Sequence, residues 1–216
     1  MVSMNQIFWR LAALLLALTF AGCGASAPLQ RDRFYALEPV LSMPASASTP
    51  VPAILLVNPL AARGFLGGRQ IIYRESRQSP RVERYDALLW EEPVPRAMAR
   101  VLTTVMRDAG IFRSVVIPVE RARADYVLNG EVEHFEHWPR DQPPCVIATL
   151  NLSLVRVSDR QSVWTRRISG EEPVPSAAAG TSATPDAMAA AFNRLAARLA
   201  SAVARDLLAL HLNEAN

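Results

Sequence analysis

The sequence predicts an α+β domain in which a mixed, largely antiparallel sheet carries two major amphipathic helices. Three observations predict it. Val146, Ala148, Leu150, Leu152 and Leu154 alternate with period two, as in a strand with one face on a core. Val94, Met98, Val101, Leu102, Val105 and Met106 recur at helical spacing, and so do Met188, Phe192, Leu195, Leu199, Val203 and Leu210. The remaining apolar runs are strand-like and lie between these helices, an order that suits a sheet covered by helices.

In order along the chain, residues 33–38 alternate as a first strand, and 41–52 hold three prolines among Ser, Ala and Thr, a linker composition. Residues 53–57 form a buried strand, followed by a turn punctuated by Gly64, Gly67 and Gly68. Residues 70–75 and 82–87 are two further strands joined through Ser79 and Pro80, and the whole region is expected to be an antiparallel meander. Glu92 and Pro93 open the first helix, because proline suits a first turn and carboxylates suit the positive end; Gly110 closes it. Residues 112–117 and 125–138 are strands, and the phase break near His134 and Phe135 predicts a bulge. A hairpin turns at 158–161 into a strand over 163–170, and 173–183 is a Pro/Ala/Gly/Ser loop. Thr184, Pro185 and Asp186 supply a cap, a first-turn proline and an acid for the last helix. Arg194, Arg198 and Arg205 fall together on its far face, which reads as solvated. The pentapeptide Glu-Glu-Pro-Val-Pro occupies 91–95 and again 171–175, each time between a strand pair and a helix. Duplication of a hairpin-then-helix unit and coincidence both account for it.

The N-terminus fixes where the domain works. Arg10 precedes ten apolar or small residues, 11–20, and then Ala21, Gly22 and Cys23. The run is half of the roughly 20 residues a membrane span needs, so 1–22 read as a removed secretion signal. The pattern resembles the lipobox of bacterial lipoproteins, with Phe20 where leucine is usual. It implies acylation of Cys23, a tether over 23–32 and a single domain over 33–212. Gly24 rather than aspartate after the cysteine implies the periplasmic face of the outer membrane.

All 23 basic residues are arginine and 20 residues are acidic. The arginines are scattered, which gives no support for nucleic-acid binding. With no lysine, no phosphate loop of the GxxxxGK type can form. His134 and His137 sit an odd number apart on one strand and face opposite sides, which argues against a metal site. No Gly-x-Ser-x-Gly elbow exists, and the three histidines offer no base for Cys145, which reads as a buried small hydrophobe. No cofactor and no enzymatic activity are expected.

Phe34, Tyr35 and Leu37 soon after the cysteine, 70–74, Tyr85 with Trp90 and Pro93 before a helix, Tyr126 and Leu128 with Phe135, and the late hairpin carry a family resemblance. The chain resembles the ABC-type transport auxiliary lipoproteins, the PqiC-like family. The resemblance implies a non-enzymatic, lipid-anchored docking component of an intermembrane lipid transport system, with an MCE-domain protein as partner. It also allows a homo-oligomer around the partner's end. Tyr73, Arg74, Tyr85, Trp90 and Pro93 are the expected partner surface. A structural lipoprotein assisting outer-membrane assembly is the alternative reading, and a periplasmic hydrolase a weaker one.

Overall fold

The computed structural model describes residues 31–41, 49–175 and 184–210. The expected signal 1–22, Cys23 and the leader through residue 30 lie outside the described residues, as do residues 42–48, 176–183 and the domain's expected end at 212. The strands are β1 (Arg33–Tyr35), β2 (Val51–Val57), β3 (Ala61–Ala62), β4 (Gln70–Tyr73), β5 (Glu83–Trp90), β6 (Phe112–Val116), β7 (Tyr126–Trp138), β8 (Cys145–Arg156) and β9 (Ser162–Pro173). Helix α1 (Val94–Asp108) follows β5 and helix α2 (Pro185–Leu208) follows β9.

Strand β7 is the spine of this mixed sheet. Along one edge it pairs antiparallel with β8 from Tyr126 opposite Arg156 to Trp138 opposite Cys145, and β8 pairs antiparallel with β9. Along its other edge lie β2, β3 and β4 in succession, all parallel to it, against Tyr126 to Leu128, Glu131 to Val132 and Glu136 to His137. The expected antiparallel meander is therefore corrected. Only β4 and β5 form an antiparallel pair there, while β1 runs parallel to β5 and β2 parallel to β6. The glycine-rich segment after β3 is a 3-10 turn, Gly64–Gly67, that interrupts the chain without reversing it, so β2, β3 and β4 run as one broken strand along β7. The three antiparallel ladders still carry most of the paired residues.

The predicted bulge lies between Val132 and His134, where the register with β8 shifts. Nearby, Gly130 lets β7 and β8 approach closely: a Cβ there would lie 2.5 Å from the Asn151 carbonyl oxygen and from Leu152.

Both helices bury the stripes their sequences announce, except that α2 ends at Leu208, so Leu210 lies past it and is half-buried. Met98, Leu102, Val105 and Met106 of α1 are fully buried, as are Phe192, Leu195 and Val203 of α2. Pro93 occupies the position before α1 and its carbonyl accepts from the amides of Arg96 and Ala97. The Thr184 hydroxyl accepts from the Ala187 amide at 3.1 Å, as a capping threonine does. Strand β9 runs on through Glu171, Glu172 and Pro173, further than alternation alone predicts. Arginines close main-chain acceptors on β6 and β9: Arg107 donates to the Val115 carbonyl, Arg194 to that of Pro173 and Arg198 to that of Glu171. Such groups blunt pairing with foreign strands. The far face of α2 is thus not simply solvated, since Arg194 and Arg198 also both bind the Glu172 carboxylate.

Candidate functional site

Strand β4 stops at Tyr73 and its partner β5 starts at Glu83, so Tyr73, Arg74 and Tyr85 converge where β7 also finishes. The Tyr73 and Tyr85 rings stack with centroids 4.4 Å apart. The Tyr73 hydroxyl donates to Glu83 at 2.8 Å, and that bond, with burial, raises its pKa. Burial, helped by Tyr73, pushes the Tyr85 hydroxyl up to about 12. Its oxygen lies 2.8 Å from Nδ1 of His137. The ring of His137 is buried, and its Nε2 has no partner among the described residues. Burial pushes this histidine down to about 4, so the imidazole is neutral near pH 7.

Arg74 turns to the other face from Tyr73, as alternation predicts. Its Nε donates to Glu136 at 2.7 Å, and its amide donates to the His137 carbonyl at 2.9 Å. Glu136 also pairs with His134 at 3.0 Å and accepts from the Trp138 indole at 3.4 Å. Burial alone would push the Glu136 carboxyl up, but the bonds from Arg74 and His134 outweigh it and hold it below its ordinary value. From His134 to His137 the ladder is regular, so their odd spacing turns them to opposite faces: one joins Glu136, the other Tyr85.

Arg77 completes this end, and nothing in the local sequence announces it. Its guanidinium lies 4.8 Å from the Trp138 ring centroid and 2.6 Å from Glu171, while its amide donates to Asp141 at 3.1 Å. One side chain thereby ties the β4–β5 turn to the β7–β8 turn and to β9.

Trp90 and Pro93 do not belong to this surface. Trp90 is 2% exposed, edge-on to Phe135 and Phe192 with centroids at 5.7 and 5.3 Å, while those two rings stack at 4.5 Å. A ring enclosed by β7 and α2 offers no area to a partner, so the expectation for Trp90 is corrected to a core role. Pro93 starts α1 as described above. Cys23 lies outside the described residues.

The chemistry of these groups is that of a fixed framework. Cys145 is a free, buried thiol, and burial, with Asp141 and Glu171 nearby, pushes it up to about 11, away from a nucleophile's range. Among the described residues no group of three or more His, Cys, Asp or Glu is placed to hold a metal ion. Also among them, no helix is long and apolar enough to cross a membrane.

The repeated pentapeptide does the same work twice. Val94 and Val174 are both buried, at 3% and 2% exposure. The second glutamate of each copy takes arginine from the helix that follows: Glu92 from Arg100 at 2.7 Å, and Glu172 from Arg194 and Arg198 at 2.8 and 2.7 Å.

The family model of ABC-type transport auxiliary lipoprotein components matches residues 35–204, from the last residue of β1 into the last turns of α2. The chain belongs to this family. Among solved structures, this auxiliary lipoprotein is similar to protein XCC0632 from Xanthomonas campestris, with a TM-score of 0.69 and 23% identity over 82% of this chain and 94% of that one. A second crystal structure, of an uncharacterized protein, is similar with a TM-score of 0.60 and 17% identity over 82% of this chain and 99% of that one. At these identities the likeness is one of fold. No curated protein matches the chain significantly.

Proposed function

We propose that this auxiliary lipoprotein is held by acylated Cys23 at the periplasmic face of the outer membrane and acts there as a non-enzymatic dock for an MCE-domain protein of an intermembrane lipid transport system. The observation that carries the reading is the family match over residues 35–204. The geometry adds a surface of the right kind. Tyr73, Arg74 and Tyr85 are half-buried and tied by hydrogen bonds to Glu83, Glu136 and His137, with Glu75, Arg77 and Gln78 exposed around them. A surface ordered before its partner arrives loses little side-chain freedom on binding. Burial raises the Cys145 thiol, which takes it away from a nucleophile's range. The same end of the sheet would serve one copy or a homo-oligomer around the partner's end.

Two measurements on the full-length chain test this. The mass of the membrane-extracted protein should equal the chain from Cys23 plus acyl groups. Affinity purification should recover the MCE-domain protein with the parent chain and lose it with Glu75→Arg/Gln78→Arg at unchanged melting temperature. Undiminished recovery by that variant would move the dock elsewhere on the domain, and absence of an MCE protein from the parent would sink the reading.

A further inference from the structure

Two exposed phenylalanines each have an arginine over the ring, and one of them, Phe34, follows soon after the segment that leads to the anchor. Phe34, in β1, is 55% exposed and Phe65 is 48% exposed. The Arg69 guanidinium carbon is 5.0 Å from the Phe34 ring centroid and that of Arg84 is 4.7 Å from Phe65. The register brings the two pairs together: Phe34 lies opposite Leu89, Leu89 opposite Gln70, and Arg84 opposite Ile72. Gln70 and Ile72 are two positions apart on β4, while Leu89 and Arg84 are five apart on β5 across a register shift, and Phe65 lies in the 3-10 turn just before β4. Arg69 donates its Nε to the Trp90 carbonyl at 3.0 Å, and neither arginine has a carboxylate partner among the described residues. Arg63, Arg74, Arg77 and Arg100 are all paired with acids, whereas Arg96, Arg113 and Arg123 share the lack of a carboxylate partner among the described residues but have no ring beneath them there. Two acids flank Arg84 on β5: Glu83, which pairs with Arg81 and accepts from the Tyr73 hydroxyl, and Asp86, two residues on and exposed.

Exposed rings beside guanidiniums without carboxylate partners fit the boundary layer of a bilayer, where aromatic rings settle among head groups and guanidiniums take phosphate oxygens. We infer that this face rests on anionic phospholipid head groups of the membrane that holds the anchor. The inference depends on the proposed acylation of Cys23 for its reach. Ten residues, 24–33, separate Cys23 from Phe34, a reach of at most about 35 Å. The lipid surface is thus presented to Phe34 and Phe65 at high effective concentration, where a weak contact is enough to hold. A tether alone leaves the domain free to tumble. A second contact fixes which face looks down and leaves the opposite side to a partner.

Cosedimentation of residues 24–216, which contain the compact unit Asp32–Asn216, tests the contact without the acyl chains. Vesicles of equal phosphatidylglycerol and phosphatidylcholine should bind this chain about tenfold better than pure phosphatidylcholine, and about 0.5 M salt should abolish the preference. Phe65→Ser/Arg84→Gln should remove most of the preference, and Phe34→Ser should weaken it about threefold, at unchanged melting temperature. Asp86→Asn should strengthen it. Equal binding to both vesicles, or full binding by Phe65→Ser/Arg84→Gln, overturns the inference. Neither result bears on acylation, because Cys23 is absent from this chain; the mass of the membrane-extracted protein decides that separately.

Discussion

Arg74 and Glu136 meet at 2.7 Å with 23% and 5% of their side chains exposed, just past the point where β4 stops pairing with β7. The pair extends that junction by one residue, because the Arg74 amide also donates to the His137 carbonyl. Arg74→Ala leaves the Glu136 carboxylate buried with only His134 and Trp138, and is expected to cost about 1–3 kcal/mol, read as a lower melting temperature. The folded pKa of Glu136 lies below its ordinary 4.5, so its contribution is present above that pH and lost as pH falls through the lowered value. Without Arg74 that value rises, and acid unfolding of the variant should begin at higher pH than in the parent. Coincident acid midpoints would show that the pair contributes nothing.

His137 adds a second acid sensitivity in a higher window. Its folded pKa is lowered from 6.5 to about 4 by burial, so the unfolded chain binds the extra proton first as pH falls. Stability tied to this residue is complete above about 6.5 and declines toward pH 4, by about 3 kcal/mol over the window. His137→Leu removes the titrating ring, and the melting temperature of this variant should fall less between pH 7 and 4.5 than that of the parent. Parallel curves would place the sensitivity elsewhere.

Gly130→Ala tests the β7–β8 contact. The added methyl would meet the Asn151 carbonyl oxygen, and main-chain atoms in the middle of a long ladder cannot step aside without breaking pairs. A loss of about 1–3 kcal/mol is expected in chemical denaturation. A substitution at Gly170 meets chiefly the Leu195 and Leu199 side chains at 3.0 and 3.4 Å, which can shift, so Gly170→Ala should cost less.

What the sequence made legible was local. The alternation of β8, the apolar stripes of α1 and α2, the Thr184 cap and the bulge in β7 all depend on residues within a few positions of one another, and each is where its pattern puts it. Pairing was not legible. Whether 53–57 and 70–73 pair with each other or each lie along β7 depends on contacts with a strand far down the chain, and alternation is the same in both cases. The partner surface was half legible: Tyr73 and Tyr85 come together as neighbours on a hairpin, whereas Trp90 is drawn inward by Phe135 and Phe192, two rings on other elements. Arg77 had no signal at all, since Trp138, Asp141 and Glu171 reach it only through the fold.

The repeated glutamate gives a milder prediction. Glu172 is largely covered while Arg194 and Arg198 are about half exposed, so solvent screens much of their attraction. Glu172→Gln should cost about 1 kcal/mol or less, and the difference from the parent should shrink as salt is added. A salt-independent loss would mean that packing of Val174, rather than charge, holds β9 to α2.

The most direct test of the docking role is crosslinking in intact cells from a photoreactive side chain placed at Gln78, exposed beside Tyr73, Arg74 and Arg77. A specific adduct with an inner-membrane-anchored MCE-domain protein is expected, absent when the same side chain replaces Arg123 on the exposed loop after β6. Adducts confined to outer-membrane assembly factors would contradict it.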